Sequence, residues 1–528
     1  MGCGVSSSRH KTALSDCGQS IDGNQTVLNG SQTASNGSET MTDGNLPARS
    51  DCGDSITGNE SSPRGCAMST DGNQSALHHA SASGDTNAVR KLLRQPDVEV
   101  NAVEPDKGQT ALYLACRHGH EGVIQLLLEH RGVDANQATK IGGTPLFVAA
   151  QEGHEGTVRL LLAHKGVHIN QPGKSRATPL SIAAYRGHEH VVSLLLAQEG
   201  VDVNQAEENG CTPLYNAAKN GHEDVTRLLL AHPGLDANRA TENGATPMWI
   251  AASEGHEGTV RLLLAHPGVD VNQAEQDSCA PLWIAAQEGR AGVVRALLSR
   301  SGLDFNQAGK NGASPVQIAA HNGREECMSL PLGVDVNQSG DSVTSPLWLA
   351  ASKGHEGVVR LLLAQNGVEV NKAAKSGATP LHVSAREGHE GVVRLLLCHE
   401  GVDVNLADDD GATPLFNAAQ GGHDGIIRLL LAHLGVYVNQ AGYAGAGYQP
   451  RGHDWLYFAI RKREGQEGVG QVLLGLMGVN VNQPEEGRCT LLWIVTQEGK
   501  QIMIQVLLVR VGMIVCQKVT NGATAMYL

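Results

Sequence analysis

The stretch GGTPLFVAAQEGHEGTVRLLLAHKGVHINQ, from Gly142 to Gln171, decides the fold because close copies of it follow along the chain. Its Thr-Pro-Leu step returns at a constant interval of 34 residues. The first residue of that step falls at Thr144, Thr178, Thr212 and Thr246, then at Ala280 and Ser314, and later at Thr379 and Thr413. Twelve units are recognisable from Leu112 to Trp493, and a more polar unit begins at Ser75. Such a period predicts a repeat architecture.

Each unit predicts two short helices and a returning turn. Thr144 supplies an N-cap hydroxyl, and Pro145 takes the first helical position, where its missing N–H costs no hydrogen bond. Gly153 is expected to end this helix in a left-handed cap, and Glu155 to begin a second helix near the positive end of its dipole. Gly166 is expected to end the second helix. Because neither helix buries its apolar face alone, neighbouring units must share one core.

These motifs resemble the ankyrin repeat. T-P-L-x-x-A-A-x-x-G-H-E and L-L-L-x-x-x-G-V-D-V-N match the family's pattern over about 450 residues, from Ser75 to Leu528. The period is 34, one more than the family's usual value of about 33, and the family's histidine after T-P-L remains at His78 and His382. The resemblance implies an all-α ankyrin solenoid of about 13 helix pairs with hairpin-like loops, which holds protein partners on its concave face.

Composition and charge disfavour several classes of function. The net charge of −14 argues against a nucleic-acid partner, because phosphate binding needs a basic surface. The 11 cysteines form no C-x-x-C pair, which favours a reducing compartment over a disulfide framework or a zinc site. The sequence has no run of about 18 apolar residues and no apolar segment after Met1 typical of a secretory signal. We therefore expect a cytoplasmic protein.

The patterns divide the chain into six parts. These are a disordered Ser/Gly/Asn-rich tail (1–71), a first ankyrin module (72–320), a short degenerate repeat (321–344), a second ankyrin module (345–441), a Gly/Tyr-rich loop (442–453) and degenerate ankyrin repeats (454–528). Pro331 falls where the short repeat needs its second helix, so we predict a hinge there. The chain stops at the opening of another unit, which indicates either a longer parent chain or a partner that covers this end.

The first residues, M-G-C-G-V-S, match the acceptor motif for N-myristoylation. Gly2 would carry the myristoyl chain and Cys3 a palmitoyl chain. One myristoyl chain binds a membrane with an association constant of only about 10⁴ M⁻¹, so a second lipid is needed for stable attachment. We expect a lipid anchor at the cytoplasmic face of a membrane; the alternative is a chance hexapeptide.

Histidine is abundant, but its pattern favours a structural role. Eight histidines occupy the same position of successive units: His120, His154, His188, His222, His256, His355, His389 and His423. Stacked helices lie about 10 Å apart, whereas zinc ligands lie about 2 Å from one ion. No H-E-x-x-H, P-loop or G-x-S-x-G motif is present. We therefore predict no catalytic residues, no metal, no cofactor and no small-molecule substrate.

One position of the repeat collects aromatic residues. The residue after T-P-L, which we call the aromatic column, is Tyr113, Phe147, Tyr215, Trp249, Trp283, Trp348 or Phe416, with Tyr457 and Trp493 farther on. Four residues later, on the same helix face, comes the last-turn column: Arg117, Gln151, Lys219, Ser253, Gln287 and Ser352. Either the aromatic rings border a binding groove behind these polar residues, or they fill space between repeats.

Three functions compete. The first is a non-enzymatic, lipid-anchored adaptor that recruits an unidentified protein through the concave face, with both columns as contact residues. The second is the regulatory ankyrin portion of a larger enzyme or channel, and the third is a spacer without a specific partner.

Overall fold

The computed structural model describes residues 70–173, 175–309, 312–329, 336–339 and 344–436. This part of the chain is helical, and its extended pairing is limited to an isolated antiparallel bridge between Val103 and Thr110. The described part divides into two compact units. The first holds residues up to 285 together with 292–303, and the second holds 286–291 and the residues from 304 onward. Residues 1–69 of the predicted tail, the Gly/Tyr-rich loop and the last degenerate repeats lie outside the described residues. The predicted tail boundary at residue 71 was wrong by two residues, because Thr70 and Asp71 belong to the first helix.

Helices in the described residues come in pairs, one pair for each repeat. Up to residue 298 they are α1 (Thr70–Ser83), α2 (Thr86–Leu92), α3 (Ala111–His118), α4 (Glu121–Glu129), α5 (Pro145–Glu152), α6 (Glu155–Ala163), α7 (Pro179–Arg186), α8 (Glu189–Leu196), α9 (Pro213–Asn220), α10 (Glu223–Leu230), α11 (Pro247–Glu254), α12 (Glu257–Ala265), α13 (Pro281–Glu288) and α14 (Ala291–Leu298). We number the repeats one to seven from these pairs.

Repeats eight to eleven follow in the second unit. Their helices are α15 (Pro315–His321), α16 (Glu325–Met328), α17 (Pro346–Lys353), α18 (Glu356–Leu363), α19 (Pro380–Glu387), α20 (Glu390–Leu397), α21 (Pro414–Gly421) and α22 (Asp424–Ala432). The predicted all-α repeat architecture is therefore confirmed over the described residues.

The first helix of a repeat begins and ends as its local chemistry predicts. Thr144 accepts a hydrogen bond from the Phe147 amide with its side-chain oxygen (3.1 Å), and Pro145 opens the helix. Gly153 ends α5 with φ of +78°, in the left-handed region that glycine adopts without a Cβ penalty. Similar residues recur in most units, so a similar capped helix of about two turns recurs from α3 onward, although the first helix of repeat eight ends at Asn322 with φ of −90°.

The second helix begins at the predicted glutamate but ends earlier than expected. α6 runs from Glu155 to Ala163, and its C-cap is His164 in an extended conformation, so the expectation that Gly166 ends it was wrong. Gly166 instead lies in the following turn with φ of +89°. The buried face of α6 comprises Thr157, Val158 and Leu161, which places its apolar stripe toward its own repeat and its neighbours.

Stacking of like helices forms the core. In the first unit α3, α5, α7 and α9 each pack against the first helix of the next repeat, and α15, α17 and α19 do so in the second. The paired alanines Ala149 and Ala150 are fully buried and allow close approach of the helices. Burial of apolar surface at about 25 cal/mol per Å² makes this shared interior the main source of stability.

The short repeat has a reduced second helix. α16 spans four residues, Glu325–Met328, where the other repeats have seven to nine. Pro331 and most of the segment between α16 and α17 lie outside the described residues, so the hinge remains a prediction.

Candidate partner-binding site

The last-turn column lies where the first helix of a repeat ends. Arg117, Gln151, Lys219 and Ser352 are half-exposed there, while Ser253 and Gln287 are buried at 8% and 7% exposure. The accessible side chain in this column is therefore basic in some repeats (Arg117, Lys219), neutral in another (Gln151) and small in a fourth (Ser352). Its chemistry varies while its position in the repeat stays the same.

A histidine of the next repeat holds this last turn. The Nε2 atom of His154 donates to the Arg117 carbonyl at 3.0 Å, and that of His188 donates to the Gln151 carbonyl at 3.0 Å. We call these contacts the histidine clasp. All eight histidines of the repeated position make it, at 2.9–3.1 Å: His120, His154, His188, His222, His256, His355, His389 and His423. The structural interpretation of these histidines is confirmed.

An arginine performs the same task in the short repeat. Arg324 stands at the histidine position, and its Nε donates to the Gln287 carbonyl at 2.8 Å. The geometry therefore selects an N–H donor of suitable reach rather than an imidazole as such. Among the described residues no group of three or more His, Cys, Asp or Glu side chains is placed to hold a metal ion.

The clasp explains the glycine that precedes each of these histidines. A Cβ built on Gly153 would lie 2.7 Å from the ring of His188, and the φ of Gly153 is left-handed. Any side chain there would meet both backbone strain and the imidazole of the next repeat. The G-H pair thus fixes the last turn that carries the candidate contact residues.

Six rings of the aromatic column are buried and Phe416 is half-exposed, which decides between the two interpretations for those six. Tyr113, Phe147, Tyr215, Trp249, Trp283 and Trp348 are 1–7% exposed. Their rings fill space between repeats and do not border an open groove, so the interpretation of these six rings as an exposed ladder was wrong. The physical reason is that the buried face of the first helix includes this position as well as the alanine pair.

Two indoles of the aromatic column also donate a hydrogen bond to the next repeat. Trp249 Nε1 donates to the Cys279 carbonyl and Trp348 Nε1 to the Ala378 carbonyl, both at 3.0 Å. Each acceptor immediately precedes the N-cap position of the following first helix. The indole therefore fixes the spacing of two repeats in addition to filling it.

Other residue types in this position make the equivalent bond. His382 Nε2 donates to the Ala412 carbonyl at 3.0 Å, and Gln317 Nε2 donates to the Thr344 carbonyl at 2.7 Å. Burial lowers the pKa of His382 from 6.5 to about 4, so the ring is neutral at pH 7. Trp, His and Gln share a side-chain N–H, and that common donor is the signal that would have shown the role of the position from sequence.

Repeat four solves the same problem differently. Its residue at this position is Ser181, which is shorter than Trp, His or Gln and donates through Oγ to the carboxylate of Glu207, a residue of the next hairpin. Asn216 Nδ2 donates to Glu207 Oε1 at 2.7 Å and to Ser181 Oγ at 2.9 Å. Burial raises the pKa of Glu207, although its hydrogen bonds with Ser181 and Asn216 and the charge of Lys219 partly offset this.

An asparagine ladder connects the hairpins, and sequence reasoning missed it. Asn136 Nδ2 donates to the Gly166 carbonyl at 2.8 Å, and its Oδ1 accepts from the His168 amide at 2.8 Å. Nine asparagines donate to the glycine carbonyl of the next repeat, at 2.6–2.8 Å: Asn101, Asn136, Asn170, Asn204, Asn238, Asn272, Asn337, Asn371 and Asn405. The recurring V-D-V-N motif was the available signal.

Stacked helix pairs whose fixed last turns carry varied side chains define a repeat protein of the kind that binds other proteins. The family model for ankyrin repeats, which describes three copies of the repeat, matches overlapping segments from residue 60 to 485. The chain therefore belongs to the ankyrin repeat family. Ankyrin repeats imply a protein-interaction role.

One curated relative matches a short part of the chain. It is the transient receptor potential cation channel subfamily A member 1 homolog of Caenorhabditis elegans, which is 39% identical over 57 residues. That match covers 11% of this chain and 5% of the channel homologue. In the described residues no helix has the length and apolar character needed to cross a membrane. Gly2 and Cys3 lie outside the described residues.

Proposed function

We propose that this chain is a non-enzymatic scaffold that binds a partner protein through the last-turn column. The histidine clasp is the observation that supports this proposal most strongly. It holds the backbone carbonyls of Arg117, Gln151, Lys219 and Ser352, so their half-exposed side chains project from ordered positions. A partner that docks on such a surface orders side chains but little backbone of the scaffold, so the loss of backbone conformational entropy there is small.

The aromatic column contributes to this function indirectly. Its buried rings set the spacing between the helices whose last turns contact the partner. Replacement of Trp249 or Trp283 by alanine is therefore expected to weaken binding only together with a loss of stability.

Affinity capture with matched variants tests the scaffold. The binding variant replaces Arg117, Gln151 and Lys219 by alanine, and the control replaces Arg159, Arg261 and Arg394, which form ion pairs on the second helices. Captured cell proteins are quantified by mass spectrometry beside a thermal melting curve. Loss of a reproducible set of proteins in the binding variant, with an unchanged melting curve and full capture by the control, supports the proposal. Equal capture by both variants refutes it.

We also propose that N-terminal acylation tethers the scaffold to the cytoplasmic face of a membrane, with myristate on Gly2 and palmitate on Cys3. The support is the M-G-C-G-V-S motif and the weakness of a single myristoyl anchor. Cell fractionation tests it: Gly2→Ala should abolish membrane association and Cys3→Ser should reduce it, whereas Ser7→Ala should have no effect. An unchanged membrane fraction for Gly2→Ala contradicts the tether.

A second candidate is the regulatory ankyrin portion of a larger enzyme or channel. The 57-residue similarity to a cation channel homologue supports it. The transcript beyond the codon for Leu528 separates the two candidates. An immediate stop codon favours the adaptor, and an open frame that encodes membrane spans or a catalytic domain favours the larger protein.

A further inference from the structure

Repeat four differs in sequence from its neighbours at one buried position and at three positions that are exposed or half-exposed. Where repeats three, five and six have a large aromatic residue, it has Ser181, and where they have a polar last-turn residue it has Tyr185. Two further departures are Arg176 in the hairpin and Arg186 at the end of α7. Such a concentration of differences stands out in an array whose repeats three and six share the stretch EGTVRLLLAH.

Repeat four carries its aromatic ring at the surface, on Tyr185, where the neighbouring repeats carry theirs in the interior. The six residues Pro179–Ala184 of α7 are buried, so the helix presents only Tyr185, half-exposed, and Arg186, exposed. The Arg186 guanidinium carbon lies 6.0 Å from the centroid of the Tyr185 ring. His222 Nε2 donates to the Tyr185 carbonyl at 3.0 Å, which fixes this turn through the histidine clasp. Tyrosine and arginine are the side chains that most often anchor protein interfaces.

Arg176 occupies a backbone position that suits glycine. Its φ is +62°, and the corresponding residues of repeats three, five and six are Gly142, Gly210 and Gly244, with φ of +82°, +82° and +81°. A residue with a Cβ adopts this left-handed region at a cost in stability. The Arg176 side chain is nonetheless exposed. Ser278 is exposed at the same φ of +62°, so what distinguishes Arg176 is the exposed charge of its side chain and not the strain.

Both arginines are available to an external partner. Neither Arg176 nor Arg186 forms an ion pair with any residue in the described ranges, whereas Arg159 and Arg261 pair with glutamates of their own helices. At the position of Arg186, repeats three and six carry Glu152 and Glu254. The local charge is therefore reversed in repeat four, and Lys219 follows in the last turn of repeat five.

We propose that repeat four binds a short, extended, acidic segment of the partner protein; this inference rests on the proposed scaffold function. Arg176 lies two residues before the N-cap Thr178, and Arg186 is the last of the eight residues of α7, whose length is about 12 Å. An extended peptide rises about 3.3 Å per residue, so acidic side chains about four residues apart reach Arg176 and Arg186 together. The ring of Tyr185 packs against the residues between them, and each guanidinium accepts a carboxylate bidentately.

A short segment fits this surface better than a long polyanion. The next two hairpins present the exposed carboxylates of Glu208 and Glu242. The chain as a whole carries a net charge of −14. At physiological salt, charges interact over about 8 Å. The Glu208 amide donates to the Ser175 carbonyl at 3.1 Å, so a short peptide meets this one carboxylate beside the two arginines and Lys219. RNA or an anionic membrane would extend over the acidic hairpins as well.

Fluorescence polarisation with the full chain tests the proposal. The probe is a labelled peptide of about twelve residues with pairs of glutamates about four residues apart, and its glutamine counterpart is the control. Arg186→Ala should weaken binding by about tenfold, on the scale of one lost charge-assisted contact. Arg176→Gly should weaken binding while it raises the melting temperature, because it removes the charge and the strain together. Arg159→Ala should change neither.

Arg176→Gly gives the decisive outcome, since a purely structural arginine would leave affinity unchanged or raise it. Unchanged affinity in both arginine variants, equal binding of the glutamine peptide, or preference for a uridine oligonucleotide or phosphatidylserine vesicles overturns the proposal. These results leave the scaffold intact if the last-turn variants still lose captured proteins. Failure of that capture, with arginine-dependent peptide binding retained, would instead remove the last-turn column as the scaffold's site.

Discussion

The interface between repeats six and seven and the interface between repeats four and five perform the same task with different chemistry. In the first, the indole N–H of Trp249 donates to the Cys279 carbonyl of the next hairpin. In the second, Ser181 occupies the corresponding position, and the buried carboxylate of Glu207 joins it to Asn216. One interface contains no titratable group at this position, and the other contains a carboxyl group whose burial disfavours its charged form.

The comparison shows that different residues can make a polar connection across a repeat boundary, while Phe147 fills the same position without any polar group. An indole fills volume and donates at any pH, whereas a carboxyl or imidazole group in its place adds a dependence on protonation. The largest expected difference between the two interfaces is therefore in stability, and smaller differences are in its pH dependence.

Replacing Trp249 tests the indole interface and should have the largest effect. Trp249→Ala removes a buried ring at 3% exposure and should lower the free energy of unfolding by about 3–5 kcal/mol. Trp249→His keeps an N–H donor, as His382 does in repeat ten, and should cost about half as much or less. Urea unfolding of the full chain measures both. Equal losses for the two variants would show that the hydrogen bond contributes little and volume alone matters.

His382 makes the same bond as the indoles with a titratable ring, so the stability of its repeat boundary should depend on pH. Its folded pKa of about 4 lies below the ordinary 6.5. Above pH 6.5 neither state binds the proton; as pH falls, the unfolded state takes it up first, and stability is lost progressively down to about pH 4. By pH 5 this loss amounts to about 2 kcal/mol.

The matched variant is His382→Trp, which copies Trp348 of the preceding repeat. Urea midpoints at pH 7.5 and pH 5 should fall for the native chain by more than for the variant. Parallel curves for the two proteins would mean that the ring is protonated in the folded state.

Glu207 gives the polar interface the opposite pH dependence. Burial raises its folded pKa above the ordinary 4.5, so stability is lost as pH rises from 4.5 through the folded value. Glu207→Gln keeps an oxygen that accepts from Ser181 and Asn216 but cannot ionise. The variant should be more stable at pH 7 by about 1 kcal/mol, the scale of a typical single substitution, and equal to the native chain at pH 4. Glu208→Gln on the exposed hairpin is the control, and a destabilised Glu207→Gln at pH 7 would contradict this account.

Local chemistry was readable from the sequence, but contacts between repeats were not. Thr144 and Gly153 act on backbone groups within a few residues, so the T-P-L and G-H motifs predicted where the first helix of a repeat begins and ends. The bond from Trp249 reaches a carbonyl 30 residues away, and no local pattern reports such an acceptor. The aromatic column was therefore read as a possible groove until its burial showed its place in the core. The burial of Glu207 and its bond with Ser181 could not be predicted either, because the sequence shows at Ser181 only that the aromatic residue of the neighbouring repeats is absent.

The hairpins of the two interfaces provide the smallest and most controlled comparison. Glu207 and Cys211 close one hairpin with Gly210 at the left-handed position, and Glu275 and Cys279 close the other with Ser278 there, at φ of +62°. Ser278→Gly should remove the strain and raise the free energy of unfolding by about 1 kcal/mol, while Ser278→Ala keeps the Cβ and should leave it unchanged. Urea midpoints measured side by side give the strain as the difference between the two variants. If Ala and Gly stabilise equally, the Ser278 hydroxyl and not the left-handed backbone is what destabilises the native chain. The expected stabilisation by Arg176→Gly then loses its physical basis.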